Sequence, residues 1–157
     1  MDPLLELAVL IKAAQRELER RANEAMRPLG LTGAQADALT MIRQAGPLSL
    51  KELGELLIAE AGHPSRLVDR LVEAGLVERR PAEGDRRQVE LSLTERGRGL
   101  ERRAEAAREG ILELARELIG DRDIAPVLEL MRELVRYTAY AELVARRREL
   151  APTGSAE

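Results

Sequence analysis

The sequence predicts a mainly α-helical protein that carries one small β-hairpin. Three observations lead there. Of 157 residues, 45% are hydrophobic and 34% charged, but only 1% are aromatic, with two Tyr and neither Phe nor Trp. A core without large rings must be built from Leu, Val, Ile and Ala, which with abundant Glu and Arg favour helices. Apolar residues recur at spacings of three and four along most of the chain, the period of an amphipathic helix. Strict apolar–polar alternation is convincing once, in Val89-Glu90-Leu91-Ser92-Leu93, as expected of a half-buried strand.

The first helix is predicted over 3–27, with Leu4, Leu7, Ile11, Ala14, Leu18 and Ala22 on one stripe and Pro28 and Gly30 ending it. Thr32-x-x-Gln35 is a capping box that starts a second helix, with Leu39 and Ile42 inward and Gly46-Pro47 as its stop. Ser49-x-x-Glu52 starts a third at Leu50, with Leu53, Leu56, Leu57 and Ile58 as its apolar positions. Pro64 suits the first position of a fourth helix, where its missing N–H costs nothing. That helix runs to about Ala74, and Gly75 takes the left-handed cap. Residues 76–80 and 89–93 read as two strands around the turn chemistry of 81–85. Thr94 caps a fifth helix over 95–119, and a single sixth helix is expected over 123–148.

The length is that of one domain, and composition removes several function classes. Without Cys there is no disulfide scaffold, thiolate zinc site, thiol nucleophile or cysteine redox sensor. With one His there is no multi-histidine metal site within a chain. No apolar run approaches the ~20 residues of a membrane span. The start, Met-Asp-Pro-Leu-Leu-Glu-Leu, places an acid where a signal peptide needs basic charge. The expectation is a soluble cytoplasmic protein with no membrane partner. His63 has no thiol partner and no tie to a Ser–acid triad, and no phosphate-cradling glycine loop is present. No enzyme, cofactor or metal site is therefore expected. The net charge is −3. Residues 1–48 hold 6 basic and 6 acidic groups, 49–97 hold 8 and 10, and 98–157 hold 11 and 12. No third is basic, so nucleic-acid binding would have to rest on individually placed residues.

Helix, helix, helix, short turn, helix, hairpin is the order of a winged helix-turn-helix, in which one helix presents its polar side to a major groove. Specific stretches sharpen this. They are Leu31-Thr32-x-x-Gln35, Leu50-x-Glu52-Leu53, Leu67-Val68-Asp69-Arg70-Leu71, Ala74-Gly75-Leu76-Val77-Glu78-Arg79, Gly84-Asp85-Arg86-Arg87 and Leu91-Ser92-Leu93-Thr94-Glu95-Arg96-Gly97. Together they resemble the MarR family of transcriptional regulators. The resemblance implies a winged helix-turn-helix over 31–97 and dimerisation helices over 1–30 and 98–150, while residues 151–157 read as a flexible terminal tail. It also implies a homodimer on pseudo-palindromic double-stranded DNA, with release by a small aromatic or anionic effector bound between the two parts. One departure stands out. Where the family turn reads Leu-Gly-Leu-x-x-Ser-Thr-Val, this chain has Leu57-Ile58-Ala59-Glu60-Ala61-Gly62-His63-Pro64-Ser65. A longer third helix and a later recognition helix are expected from it.

The candidate DNA contacts follow. The resemblance implies that Arg86, at the wing tip, enters a minor groove, where narrow A·T tracts attract arginine. Asp85 would orient it through a charge-assisted hydrogen bond; a solvated turn pair is the bland alternative. Ser65 and Arg66 begin the fourth helix, where N–H groups and side chains meet phosphate or base edges, and Arg70 lies one turn on. Ion pairing of Arg66 with Asp69, or of Arg70 with Glu73, is the alternative. Arg79, Arg80 and Arg87 flank the wing as phosphate contacts, with Glu78, Glu83 and Glu90 able to neutralise them. Lys51 is a further phosphate candidate, and His63 a contact, a cap or a turn filler. Arg146-Arg147-Arg148 ends a helix, where cations suit the dipole, and points to a dimer-interface or solvated role. Arg16 and Arg20 are the guessed effector ligands. Two rivals to a ligand-responsive DNA-binding regulator, most simply a repressor, remain open: a winged-helix module that binds a protein instead of DNA, and a small acid–base enzyme.

Overall fold

The computed structural model describes residues 1–58, 64–82 and 87–151. Asp2 caps α1 (Pro3–Met26) by accepting from Leu4 N at 2.7 Å. A 3₁₀ turn at Arg27–Leu29 and a left-handed Gly30 (φ 70°) then redirect the chain. Both predicted capping boxes form, Thr32 with Gln35 on α2 (Gly33–Ala45) and Ser49 with Glu52 on α3 (Leu50–Leu56). Helix α4 (Pro64–Glu73) ends at left-handed Gly75 (φ 68°), whose N–H donates to Val72 O while Leu76 N donates to Leu71 O. That is the paired closure that a C-terminal glycine allows. Strands β1 (Val77–Pro81) and β2 (Val89–Leu93) pair antiparallel, Val77 opposite Leu93 and Arg79 opposite Leu91. Leu48, just before α3, adds a bridge to Leu91. Helices α5 (Glu95–Ile119), α6 (Ala125–Arg136) and α7 (Ala141–Leu150) complete the chain.

The core gathers Leu39 and Ile42 of α2, Leu53 and Leu56 of α3, Val68 and Leu71 of α4, and Leu91 and Leu93 of β2. It is aliphatic, as a chain without Phe or Trp requires. Ala104 of α5 and Met26 of α1 close it from the other side. The mainly α fold with a hairpin wing is thus as expected.

Two expectations are corrected. Helix α3 is not lengthened: it stops at Leu56, and Leu57 is extended (φ −94°, ψ 128°) with its side chain buried. Turning Leu57 out of the helix puts it into the core, and the freed Leu56 carbonyl is met by Arg147 Nε at 2.6 Å. Among the described residues α4 begins at Pro64; residues 59–63, on which the expected later start turns, lie outside them. The last helix is not continuous over 123–148 but breaks at 137–140 between α6 and α7. There Thr138 Oγ1 donates to Val135 O at 2.8 Å and accepts from Tyr140 N at 3.2 Å. A hydroxyl that bonds locally competes with the helical ladder.

Candidate nucleic-acid interface and adjoining cleft

Helix α4 is held by its apolar face, with Val68 and Leu71 buried and Leu67 and Val72 half-buried. The opposite face is open: Arg66, Asp69, Arg70 and Glu73 are exposed, and Ser65 is half-buried at its start. Asp69 turns toward the hairpin, where its Oδ1 accepts from Arg79 Nη2 at 2.6 Å. That pair fastens β1 to α4, so wing and helix present one surface. Arg66 and Arg70, four residues apart, share the neighbouring flank of the helix. Among the described residues neither makes an ion pair, so the pairings with Asp69 and Glu73 that their spacing allows do not form. On the hairpin, Arg80 Nη2 meets Glu78 Oε1 at 2.6 Å, and Arg87 is exposed. Lys51 is exposed on α3, 3.9 Å from Glu55. Arg66 and Arg70 are thus exposed on α4, and Arg79 is joined to that helix through Asp69; Arg80, the next residue of β1, points to the other face of the hairpin. His63, Asp85 and Arg86 lie outside the described residues.

The Leu-Thr-x-x-Gly stretch holds the wing to α5. Thr94 Oγ1 accepts from Gly97 N at 2.9 Å and donates to Gly75 O at 2.7 Å. Gly97 is required there: a Cβ on it would lie 1.9 Å from Leu76 O.

Between α1 and α5 on one side and α2 and α4 on the other runs a cleft of about 680 Å³. Leu18 and Met26 of α1, Ile58, Leu67 of α4 and Ile111 of α5 form apolar walls. Three arginines also line it: Arg66, Arg70 and Arg108. Its acids are engaged elsewhere, Asp37 with Arg147 and Glu19 with Arg16. Arg16 and Arg20 are not among the lining residues. Arg20 is held by Glu17 and Glu24, both within 2.7 Å. Hydrogen bonds from Arg20 and Arg21 drop the Glu17 carboxyl from 4.5 to about 2, and the same contact raises the Arg20 pKa above its ordinary value.

Residues the sequence did not single out tie the cleft to the core. Arg108 Nη1 donates to Thr40 Oγ1 at 3.2 Å. Thr40 also lies 3.3 Å from Glu101 Oε1. Glu101 is fully buried, with Oε2 at 2.8 Å from Arg43 Nε in a geometry outside that of a hydrogen bond. The Glu101 carboxylate raises the Arg43 pKa. Arg147, in the run read as dimer-interface or solvated, turns inward onto Asp37 and the Leu56 carbonyl. Arg146 reaches Glu55 at 2.8 Å. Only the helical period of α5 hinted that Glu101 sits near the buried Ala104 stripe. The Arg147–Asp37 pairing spans 110 positions and leaves no local trace.

A helix-turn-helix with a hairpin stapled to its outward helix, set between long helices, defines a winged-helix DNA-binding class of regulator. Known proteins agree. A profile of the MarR family matches residues 31–89. The multiple antibiotic resistance protein MarR of Escherichia coli is 36% identical over 96 residues, 61% of this chain and 67% of the relative. The uncharacterised HTH-type transcriptional regulator YwoH of Bacillus subtilis is 33% identical over 111 residues, 71% of this chain and 78% of the relative. The crystal structure of a MarR mutant from E. coli complexed with operator DNA aligns with 95% of this chain and 96% of that one, at 30% identity and a TM-score of 0.59. The chain belongs to the MarR family, a family of transcriptional regulators and not of enzymes. Among the described residues no helix is long and apolar enough to cross a membrane.

Proposed function

We propose that the protein is a homodimeric, sequence-specific repressor that binds a pseudo-palindromic operator and leaves it when a small anionic, most simply aromatic, effector enters the cleft. The observation that carries the DNA reading is the open face of α4, bearing Arg66 and Arg70, joined to the hairpin through Asp69 and Arg79. The likeness to a relative complexed with operator DNA supports it. The surrounding acids explain how a chain of net charge −3 can do this: Asp69 holds Arg79 in place, and no carboxylate among the described residues neutralises Arg66 or Arg70. Ser65, at the start of α4, joins them as a contact to phosphate or base edge. Arg80 and Arg87 would meet the flanking backbone, and Lys51, exposed on α3, would be a further phosphate contact. Arg86, with Asp85 orienting it and His63 near the start of α4, completes the proposed contact set.

Dimerisation is supported by apolar surface that one chain leaves uncovered. Val9 and Leu18 of α1, Leu118 of α5 and Val127 of α6 are between 51% and 70% exposed, and α6 buries none of its residues. Such patches mark interaction surfaces. The proposed dimerisation segments are therefore 1–30 and 98–150.

The wing assignment is tested by titrating a selected operator with Arg86→Ala. The expected result is a loss of affinity of about 10-fold or more, a shallower salt dependence by about one unit of log–log slope, and an unchanged dimer mass. Wild-type affinity in the variant would overturn it.

A further inference from the structure

We propose that Arg147 is a positioning residue for operator binding: from the last helix it fixes where α3 ends, and thereby where α4 begins. The proposal rests on α4 being the DNA-reading helix. Helix α7 lies against the helix-turn-helix by one stripe, Leu143, Arg146, Arg147 and Leu150, at the spacings of a single helix face. Leu143 is buried and the other three are half-buried, whereas Glu142, Arg148 and Glu149 are exposed. Helix α6, which leads into α7, buries none of its residues, so α7 is seated by its own stripe.

The stripe is aimed at the end of α3. Leu56 is the last residue of that helix, and its carbonyl has no partner within the helix. Arg147 Nε donates to it at 2.6 Å. The other two nitrogens of the same guanidinium donate to both oxygens of Asp37 on α2. Arg146 Nη1 donates to Glu55 Oε2 at 2.8 Å, one residue earlier on α3. A planar fork that closes three bonds at once holds its partners in one geometry. With the carbonyl engaged from outside, the chain leaves the helix at Leu57, extended and buried. Helix α4 starts against the same turn of α3: a Cβ on Gly54 would lie 3.2 Å from Pro64 Cγ. The path runs from Arg147 to the last turn of α3 and across Gly54 to the first residue of α4. Ser65 and Arg66, which follow Pro64, belong to the proposed DNA contacts. A shift of that turn moves base-reading groups without removing one.

The experiment compares Arg147→Ala, Arg147→Lys and Asp37→Asn with Arg148→Ala, a neighbour whose loss changes the charge equally. Each is titrated, well below its thermal midpoint, with an operator selected from a random duplex library and with a random duplex. Mass is read by sedimentation, and amide exchange is followed over 50–56 and 64–73. Arg147→Ala should bind operator about 10-fold more weakly. Its affinity for random duplex, its dimer mass and its salt slope should stay at wild type, because no phosphate contact is lost. Amides at the end of α3 and the start of α4 should exchange faster. Asp37→Asn should lose about 3-fold. Arg147→Lys should fall between wild type and Arg147→Ala, since an ammonium cannot close all three bonds. Arg148→Ala should match wild type. A lowered thermal midpoint with wild-type operator affinity makes Arg147 merely structural and overturns the proposal. A salt slope reduced by about one makes it a phosphate contact, and a monomeric variant makes it an interface residue; either result overturns positioning. If Arg147→Ala does not fold, wild-type operator affinity in Asp37→Asn overturns the proposal instead. Failure of the wild type to prefer any operator over random duplex overturns the DNA reading itself, and this proposal with it.

Discussion

Gly97 has the closest surroundings of the described glycines. It sits in the first turn of α5 directly under the Leu76 carbonyl, and a methyl group there would overlap that oxygen at 1.9 Å. The neighbour is backbone and cannot swing aside. Gly97→Ala is expected to cost about 3 kcal/mol, lowering the thermal midpoint by roughly 10 °C. Gly99, two residues on in the same helix, has open space around its Cβ position. Gly99→Ala should instead stabilise slightly, by about 0.5 kcal/mol. Equal midpoints for the two variants would contradict the close approach. The difference also explains the sequence stretch from Leu93 to Gly97: Thr94 caps α5 and reaches back to Gly75, while Gly97 admits Leu76. One glycine and one hydroxyl thereby fix the angle between the wing and α5.

At the scale of elements, α3 depends on a carboxylate. Glu52 accepts from Ser49 N at 2.7 Å and Ser49 Oγ at 2.8 Å. The backbone bond first, and the hydroxyl bond next, hold its carboxyl below its ordinary 4.5. A carboxyl whose folded pKa is depressed contributes stability above its unfolded pKa and loses it as pH falls through the folded value. The α3 cap should therefore weaken under acid, modestly because Glu52 is exposed. In Glu52→Gln this component of the acid destabilisation should vanish, as read from thermal midpoints at neutral pH and below the ordinary carboxylate range. Retention of the full wild-type acid sensitivity would refute the assignment. What the sequence displayed at this scale were local signals: both capping boxes, Pro64, Gly75, the alternating β2 and the Thr94 cap all appear where their chemistry requires. The misses were non-local. Helix α3 stops at Leu56 because Leu57 is wanted in the core and Arg147 arrives from α7 to meet the freed carbonyl. The break before α7 turns on one Thr hydroxyl within an otherwise helical pattern. For the site, residue type singled out Arg66, Arg70 and Arg79. That Asp69 would choose Arg79 over Arg66 follows only from the hairpin folding back onto α4. Arg108 could not be found from sequence, since only the folded chain sets it in the cleft lining with Arg66 and Arg70.

For the whole molecule, the long helices make sense as halves of a larger core. Helix α6 leaves Val127 at 60% and Leu134 at 45% exposed, and a second copy is what the proposed assembly places over them. Charging this face with Val127→Glu and Leu134→Glu should convert a dimer to a monomer in sedimentation velocity and abolish tight operator binding, since one half-site offers half the contacts. A variant that keeps the dimer mass would remove α6 from the interface. Two-fold pairing also dictates the form of the DNA site, because recognition helices related by a dyad enter successive major grooves roughly 34–36 Å apart. Selection from a random duplex library with the purified protein tests this most directly. The account predicts an enriched inverted repeat with half-site centres about one helical turn apart, lost in the Arg86→Ala variant. Recovery of no preferred sequence would contradict it.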